Sequence, residues 1–312
     1  MKALFLVLSL CLGFSVAVAL DGTLQIQSVV KHPQTGQETT INLGTHTFDV
    51  FRDRRELIRE VYNICKNPPA KIKTFIANRK NLGDSWVRIH FNNPSSRYMG
   101  KAILDCEYDK GKLYNVGKTR IYNDTTLDDR VDDIVSDKYF SDRFAEFIDT
   151  ARADAKAKDI NVSVPNKSVT IKFGTQVIDD TGAEGIATYP SLDYKFNVYE
   201  DRRELVKKVW ESCAKLEGNM LDEIKNGNKN PSMSVWYEHP NGGLDELKSL
   251  KCRFSSRTGE LDSLHGSIWA NSAEEVSKKA AKNEYVSDDY MKLIDAANAG
   301  TKKSTAKKNA KK

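Results

Sequence analysis

Phe48–Leu57 and Phe196–Leu205 are identical at seven of ten positions, at an offset of 148. Val61 and Cys65 match Val209 and Cys213 at that offset, and Val87 falls on Val235. Cys106 then matches Cys252 at an offset of 146, as Ser141, Asp149 and Ala153 match Ser287, Asp295 and Ala299. Order and spacing hold over about 105 residues. Solenoid repeats have periods of roughly 20–50 residues, so each copy here is a whole domain and not one unit of a stack. The 312 residues suit two domains of average size.

Within one copy the apolar pattern switches between two periods. Thr23 to Val30, Thr40 to Phe51 and Ser85 to Phe91 alternate as strands do. Asp53 opens a helix with Leu57, Ile58, Val61, Ile64 and Cys65 on one face, and Pro68 and Pro69 stop it. Lys101 to Tyr108 and Lys112 to Tyr122 read as strands joined by a turn at Lys110 and Gly111. Phe144, Phe147, Ile148 and Ala151 mark a further helix, and the second copy follows the same order. The expected class is α+β: two tandem copies of one domain, each an antiparallel sheet packed with helices. The copies are expected at 20–157 and 158–300, after a leader of 1–19 and before a disordered lysine-rich tail of 301–312.

The leader has Lys2, an apolar run from Ala3 to Val16, and the small residues Ala17 and Ala19 around Val18. That pattern predicts a cleavable secretory signal; the run is short of the roughly 20 residues a membrane span needs. The mature chain is therefore expected in the periplasm or secreted, without a transmembrane span. Cleavage removes Cys11 and leaves Cys65, Cys106, Cys213 and Cys252. An even number in an oxidising compartment predicts disulfides. Each copy owns one early and one late cysteine, so the simplest pairing is Cys65–Cys106 and Cys213–Cys252; the alternative is four buried thiols. Closing a loop of about 40 residues stabilises by roughly 4 kcal/mol in the chain-entropy account.

The formal charge of +5 is concentrated at the ends. Lys2, Lys302, Lys303, Lys307, Lys308, Lys311 and Lys312 account for seven charges, which leaves −2 for the body. No broad basic surface for nucleic acid is implied there. The six tail lysines are expected to contact polyanions, envelope polymer or nucleic acid among them, with salt-sensitive strength.

The sharpest local motif is Asp53–Glu56, repeated as Asp201–Glu204. A helix-capping box accounts for its carboxylates. It does not account for Arg54 and Arg202, which project onto the buried stripe at the positive end of a helix. Two kinds of anion fit them: a domain carboxylate, with Asp149 and Asp295 recurring in both copies, or a bound phosphate, sulfate or carboxylate. The five histidines fall opposite non-histidines in the other copy, and none has zinc-site spacing. His239 and His265 are the seeds of any site unique to one copy. Asp128, Asp129, Asp132 and Asp133 sit among basic residues, as on a solvated helix face. Asp179 and Asp180 lack calcium-loop spacing. Trp210 aligns with Tyr62 and Trp269 with Tyr122, which predicts core. Trp86 and Trp236 are read as packed, or as a sugar- or peptide-binding platform. Sequons stand at Asn123, Asn161 and Asn166.

No nucleophile elbow, phosphate-binding glycine loop or nucleophile with an identifiable base occurs in the sequence. Catalytic residues are not identified, and no cofactor or metal ion is expected. The leading expectation is an exported, non-enzymatic binding protein whose two related domains engage a protein or an anionic envelope polymer. The alternatives are an exported hydrolase of an envelope or extracellular polymer, with its site between the copies, and a structural envelope component held by the tail.

Overall fold

A computed structural model describes residues 19–31, 38–81, 86–96, 102–117, 119–120, 126–178, 184–227, 230–239 and 242–309. The leader up to residue 18, Asp179, Asp180 and Asn123 lie outside these residues, as do Lys311 and Lys312. The first half holds β1 (Asp21–Lys31), β2 (Glu38–Asp49), α1 (Arg54–Lys66), α2 (Ala70–Asn81), β3 (Trp86–Asn92), β4 (Leu104–Asp109), β5 (Lys112–Val116), β6 (Thr119–Arg120), α3 (Leu127–Ser136) and α4 (Lys138–Ala157). The second holds β7 (Ser168–Ile178), β8 (Glu184–Thr188), β9 (Tyr194–Asn197), α5 (Arg202–Ala214), α6 (Glu217–Lys225), β10 (Ser232–Glu238), β11 (Leu244–Glu246), β12 (Cys252–Phe254), β13 (Leu261–Leu264), β14 (Ile268–Trp269), α7 (Ala273–Ala280) and α8 (Glu284–Asn309). The fold is α+β, with one antiparallel sheet in each half.

The two sheets share one strand order. The first runs β2-β1-β3-β4-β5-β6. The second runs β8-β7-β10-β12-β13-β14, with β9 also on β7 and β11 also on β10. The extra strands arise because two long strands are each broken by a single 3-10 turn, at Pro190–Leu192 and Lys248–Leu250. Strands β8 and β9 together take the place of β2, and β11 and β12 together that of β4.

Pairing corrects the alignment of one strand. Cys106 lies opposite Ile89, and Cys252 lies opposite Met233. Val235 therefore occupies the place of Phe91, and not that of Val87. A strand slipped by four residues keeps every side chain on its face, so alternation alone does not distinguish the two registers.

Helix α1 buries Arg54, Leu57, Ile58, Val61 and Cys65, the stripe its spacing dictates. Each large apolar side chain so buried contributes about 1.5–3 kcal/mol. Asp53 caps the helix by accepting from the Arg55 N–H at 2.9 Å, and Asp201 does the same for Arg203 at 2.8 Å. The reciprocal half of the expected box is replaced, since Glu56 pairs with Arg52. A complete capping box stands instead at Thr126 and Asp129. At Gly22 on β1 a methyl group would lie 2.3 Å from the Phe147 ring, so only glycine lets α4 seat this closely on the sheet. Helix α8 continues to Asn309, past the point where a disordered tail was expected. Lysine and alanine are good helix formers, and a helix already seated on the core needs no new nucleus.

Both cysteine pairs form within a half. Cys65 and Cys106 are bonded with α-carbons 6.3 Å apart, and Cys213 and Cys252 with α-carbons 6.5 Å apart. Among the described residues no helix is long and apolar enough to cross a membrane.

Candidate functional site

The two halves meet along α4 and α8, and the repeated arginines form the joint. Arg54 of the first half donates to Asp295 of the second, Nη2 to Oδ2 at 2.8 Å and Nε to Oδ1 at 3.3 Å. Arg202 of the second half donates to Asp149 of the first, Nη2 to Oδ2 at 2.9 Å. The pairs are related as the repeats are: each half supplies one arginine and receives one. The remaining donors repeat as well. Arg54 Nη1 donates to Ser141 Oγ at 2.8 Å and Nη2 to the Val135 carbonyl at 3.2 Å. Arg202 Nη1 donates to Ser287 Oγ at 2.5 Å and Nη2 to the Ala281 carbonyl at 2.9 Å. The Ser287 hydroxyl donates onward to Asp142 of the first half at 2.5 Å.

These guanidinium groups are sealed, with 2% and 1% of Arg54 and Arg202 exposed. The anion expected at each is supplied by the chain itself, so neither arginine faces an external ligand. Of the two kinds of anion that fit Arg54 and Arg202, a bound ligand and a domain carboxylate, each arginine meets the carboxylate, and it comes from the other half. Phe51 and Tyr199, at equivalent repeat positions, meet across the joint edge-to-face at 5.1 Å, and the Tyr199 hydroxyl donates to the Phe51 carbonyl at 2.8 Å. Burial pushes that phenol up to about 12, so it stays a donor at every physiological pH.

A cleft of about 540 Å³ borders the joint at Phe51 and Arg152, and further ligand-sized space lies away from it. In the second half Trp269 is 57% exposed and lines both of two open polar clefts, of about 640 and 400 Å³. Asp262, Asn271 and Glu275 line the first; Asn230, Arg253 and His265 line the second. Lys279 fixes the ring's backbone, its Nζ donating to the Trp269 carbonyl at 2.6 Å. Trp269 pairs with Ser263 as Arg120 pairs with Asn115, so it stands at the register place of Arg120 on an edge strand. That overturns the alignment with Tyr122 and the core reading that followed from it. His265 has φ 56°, a left-handed conformation, at the place Gly117 holds in the first half with φ 61°. The Lys248 carbonyl, 3.0 Å from Nδ1, anchors the His265 ring. Trp236 and Trp210 are buried.

One carboxyl outside the joint is perturbed beside a cleft. Asp105 shares a hollow of about 100 Å³ with Asp133, Asp137 and Arg143. Burial first and Glu107 second hold its carboxyl above the usual range near 3.8. The folded state therefore keeps this proton more tightly than the unfolded chain does. Its contribution to stability falls as pH rises from about 4 and stays lost above the folded value. Asp105→Asn removes that loss. The variant is expected to gain little in urea midpoint at about pH 4 and more at about pH 7; an equal gain at both would show that Asp105 titrates normally.

Among the described residues no group of three or more histidine, cysteine, aspartate or glutamate side chains is arranged to hold a metal ion. Asp128 and Asp132 pair with Arg59 at 2.8 Å and Arg55 at 3.4 Å on an exposed face. Lys302, Lys303, Lys307 and Lys308 fall on the distal part of α8. No known protein family, curated protein or solved structure matches the chain.

Proposed function

We propose that this is an exported, non-enzymatic binding protein with two related domains, which grips a polar polymer of the carbohydrate class on the face around Trp269. The observation that carries this reading is a large aromatic ring left 57% exposed between two open clefts. An indole offers a flat apolar face to stack on a sugar ring and an N–H for its hydroxyls. The amides and mixed charges beside it satisfy hydroxyl groups in either hydrogen-bonding sense. Clefts of these volumes fall in the range that small ligands occupy. The two internal disulfides suit an oxidising compartment, which with the leader supports export. The lysines at Lys302, Lys303, Lys307, Lys308, Lys311 and Lys312 would add attraction for an anionic polymer.

A hydrolase reading has Asp105 in its favour. Its hollow of about 100 Å³ holds roughly three waters at ~30 Å³ each, too few to admit a sugar ring. Binding of the mature protein to immobilised neutral and anionic polysaccharides distinguishes the readings. Trp269→Ala is expected to weaken retention at least about 10-fold on the neutral polymers, as loss of one stacking aromatic would. A chain ending at Gly300 is expected to lose only the salt-sensitive part on the anionic ones. Retention that ignores Trp269 defeats the proposal, and release of shortened polymer would favour the hydrolase.

A further inference from the structure

A further cleft lies in the first half. It opens between α1, the start of α2 and the β4–β5 hairpin, with a volume of about 530 Å³. Its walls are mostly apolar and include Cys65, Ile76, Ala77, Tyr108 and Leu113. Lys66 and Lys73 also line it, with no carboxylate among its described lining residues.

The chain provides its own comparison for this feature. In the second half α5 passes almost directly into α6, where Leu216 and Met220 are buried at 5% and 1% exposure. The β12–β13 turn packs on α6. A methyl group on Gly259, which has φ +75°, would lie 2.8 Å from the Leu221 backbone. The Leu261 N–H donates to Glu217 on α6 at 3.0 Å, which clamps turn to helix. In the first half Pro68 and Pro69 interrupt the chain between α1 and α2. The hairpin there turns within Lys110 and Gly111, and its Gly111 forms the opposite wall of an open cleft. Two halves with one strand order thus differ in how the second helix meets the hairpin.

We propose that the first-half cleft binds a single-chain anionic amphiphile, such as a long-chain fatty acid, with its hydrocarbon against Ile76, Ala77 and Leu113 and its carboxylate at Lys66 and Lys73. An apolar lining calls for a hydrocarbon body. Two cations at the lip, with no acidic residue among the described lining, call for an anionic head. The volume fits a small ligand and not a folded partner. The site is in the other half from Trp269 and does not depend on the carbohydrate reading.

The test uses the mature chain and the fluorescent probe dansylaminoundecanoic acid. Saturable one-site enhancement, displaced by palmitate, is expected. Ala77 is exposed on α2, so Ala77→Trp fills the cleft without entering the core. It should reduce probe affinity at least about 10-fold while the urea midpoint is unchanged. Lys66→Glu combined with Lys73→Glu should weaken palmitate about 10-fold or more and leave cetyl alcohol unaffected, because only the acid carries the charge. Absence of saturable binding, or binding indifferent to Ala77→Trp, overturns the site. Equal losses for palmitate and cetyl alcohol overturn the anionic head. Trp269→Ala serves as the control that must leave probe affinity unchanged.

Discussion

Arg54→Met is expected to lower the folding free energy by about 3 kcal/mol, at the lower end of the roughly 3–5 kcal/mol that follows removal of one partner from a buried ion pair. The loss has three sources. Asp295 is left without its main counter-charge, Ser141 loses a donor, and the Val135 carbonyl is left facing an apolar side chain. Two features keep the figure from the upper end: Asp295 retains 18% side-chain exposure, and Arg55 lies 3.6 Å from its Oδ1. The equivalent Arg202→Met should cost less on the ion-pair side. Arg202 reaches Asp149 through one nitrogen only, whereas Arg54 engages Asp295 through two, and a two-point contact is the stronger.

Because each pair ties one half to the other, the variants should also change the shape of unfolding. The intact chain is expected to melt in one transition, and Arg54→Met to broaden or split it as the halves uncouple. Urea unfolding followed by tryptophan fluorescence and by far-UV dichroism reads both effects. A cycle of Arg54→Met, Asp295→Leu and the double variant isolates the pair. A coupling of about 1–3 kcal/mol is expected for groups in direct contact. Coupling under about 0.5 kcal/mol would mean that the joint is held by packing, by Phe51 on Tyr199 and α4 on α8, and that the arginines are incidental to it.

The sequence made the joint half legible. Arg54 and Arg202 stood out because a cation on the buried stripe at a helix start demands an anion, and Asp149 and Asp295 stood out because they recur. What the repeat does not encode is which copy each aspartate serves. Identity at equivalent positions is the same whether a contact closes within a copy or is exchanged between copies, so only the packing of α4 on α8 decides it. The cysteine pairing was legible for the opposite reason: helix α1 points Cys65 inward, and only a strand of the same copy lies beneath it. Helices α2 and α6 escaped the periodicity. In α2 the apolar side chains Ile72, Phe75 and Ile76 are interspersed with lysines and follow two prolines, too few to set a stripe. Trp269 was misplaced by gaps. Its offset from Arg120 is 149, against 147 from Tyr122, and over so short a strand a two-residue error keeps the face while moving the side chain from sheet edge to supposed core. The clefts arise where the copies differ, in the length of a turn and the spacing of two helices, and a reading guided by what repeats looks away from those positions.

Replacing both cysteines of either disulfide by alanine is expected to destabilise the chain by about 4 kcal/mol. The bonds close segments of 41 and 39 residues, and chain entropy over such lengths gives nearly the same value for each. The alanines leave little further cost, since all four cysteines are almost wholly buried and lose only a sulfur each. The two bonds should nevertheless differ in how they are reached. Thiol exchange requires a thiolate to approach a sulfur in line. Cys65 forms part of the wall of the open first-half cleft. Cys213 and Cys252 are both at 0% exposure. Under limiting dithiothreitol without denaturant, Cys65–Cys106 should therefore open first, and alkylation followed by peptide mapping should find label on that pair while Cys213–Cys252 stays closed. Saturation of the cleft with palmitate should slow that reduction, because the hydrocarbon would lie across the approach to Cys65. If Cys213–Cys252 is labelled first, access through the cleft does not govern reduction, and the second half opens more readily than the burial of its cysteines implies.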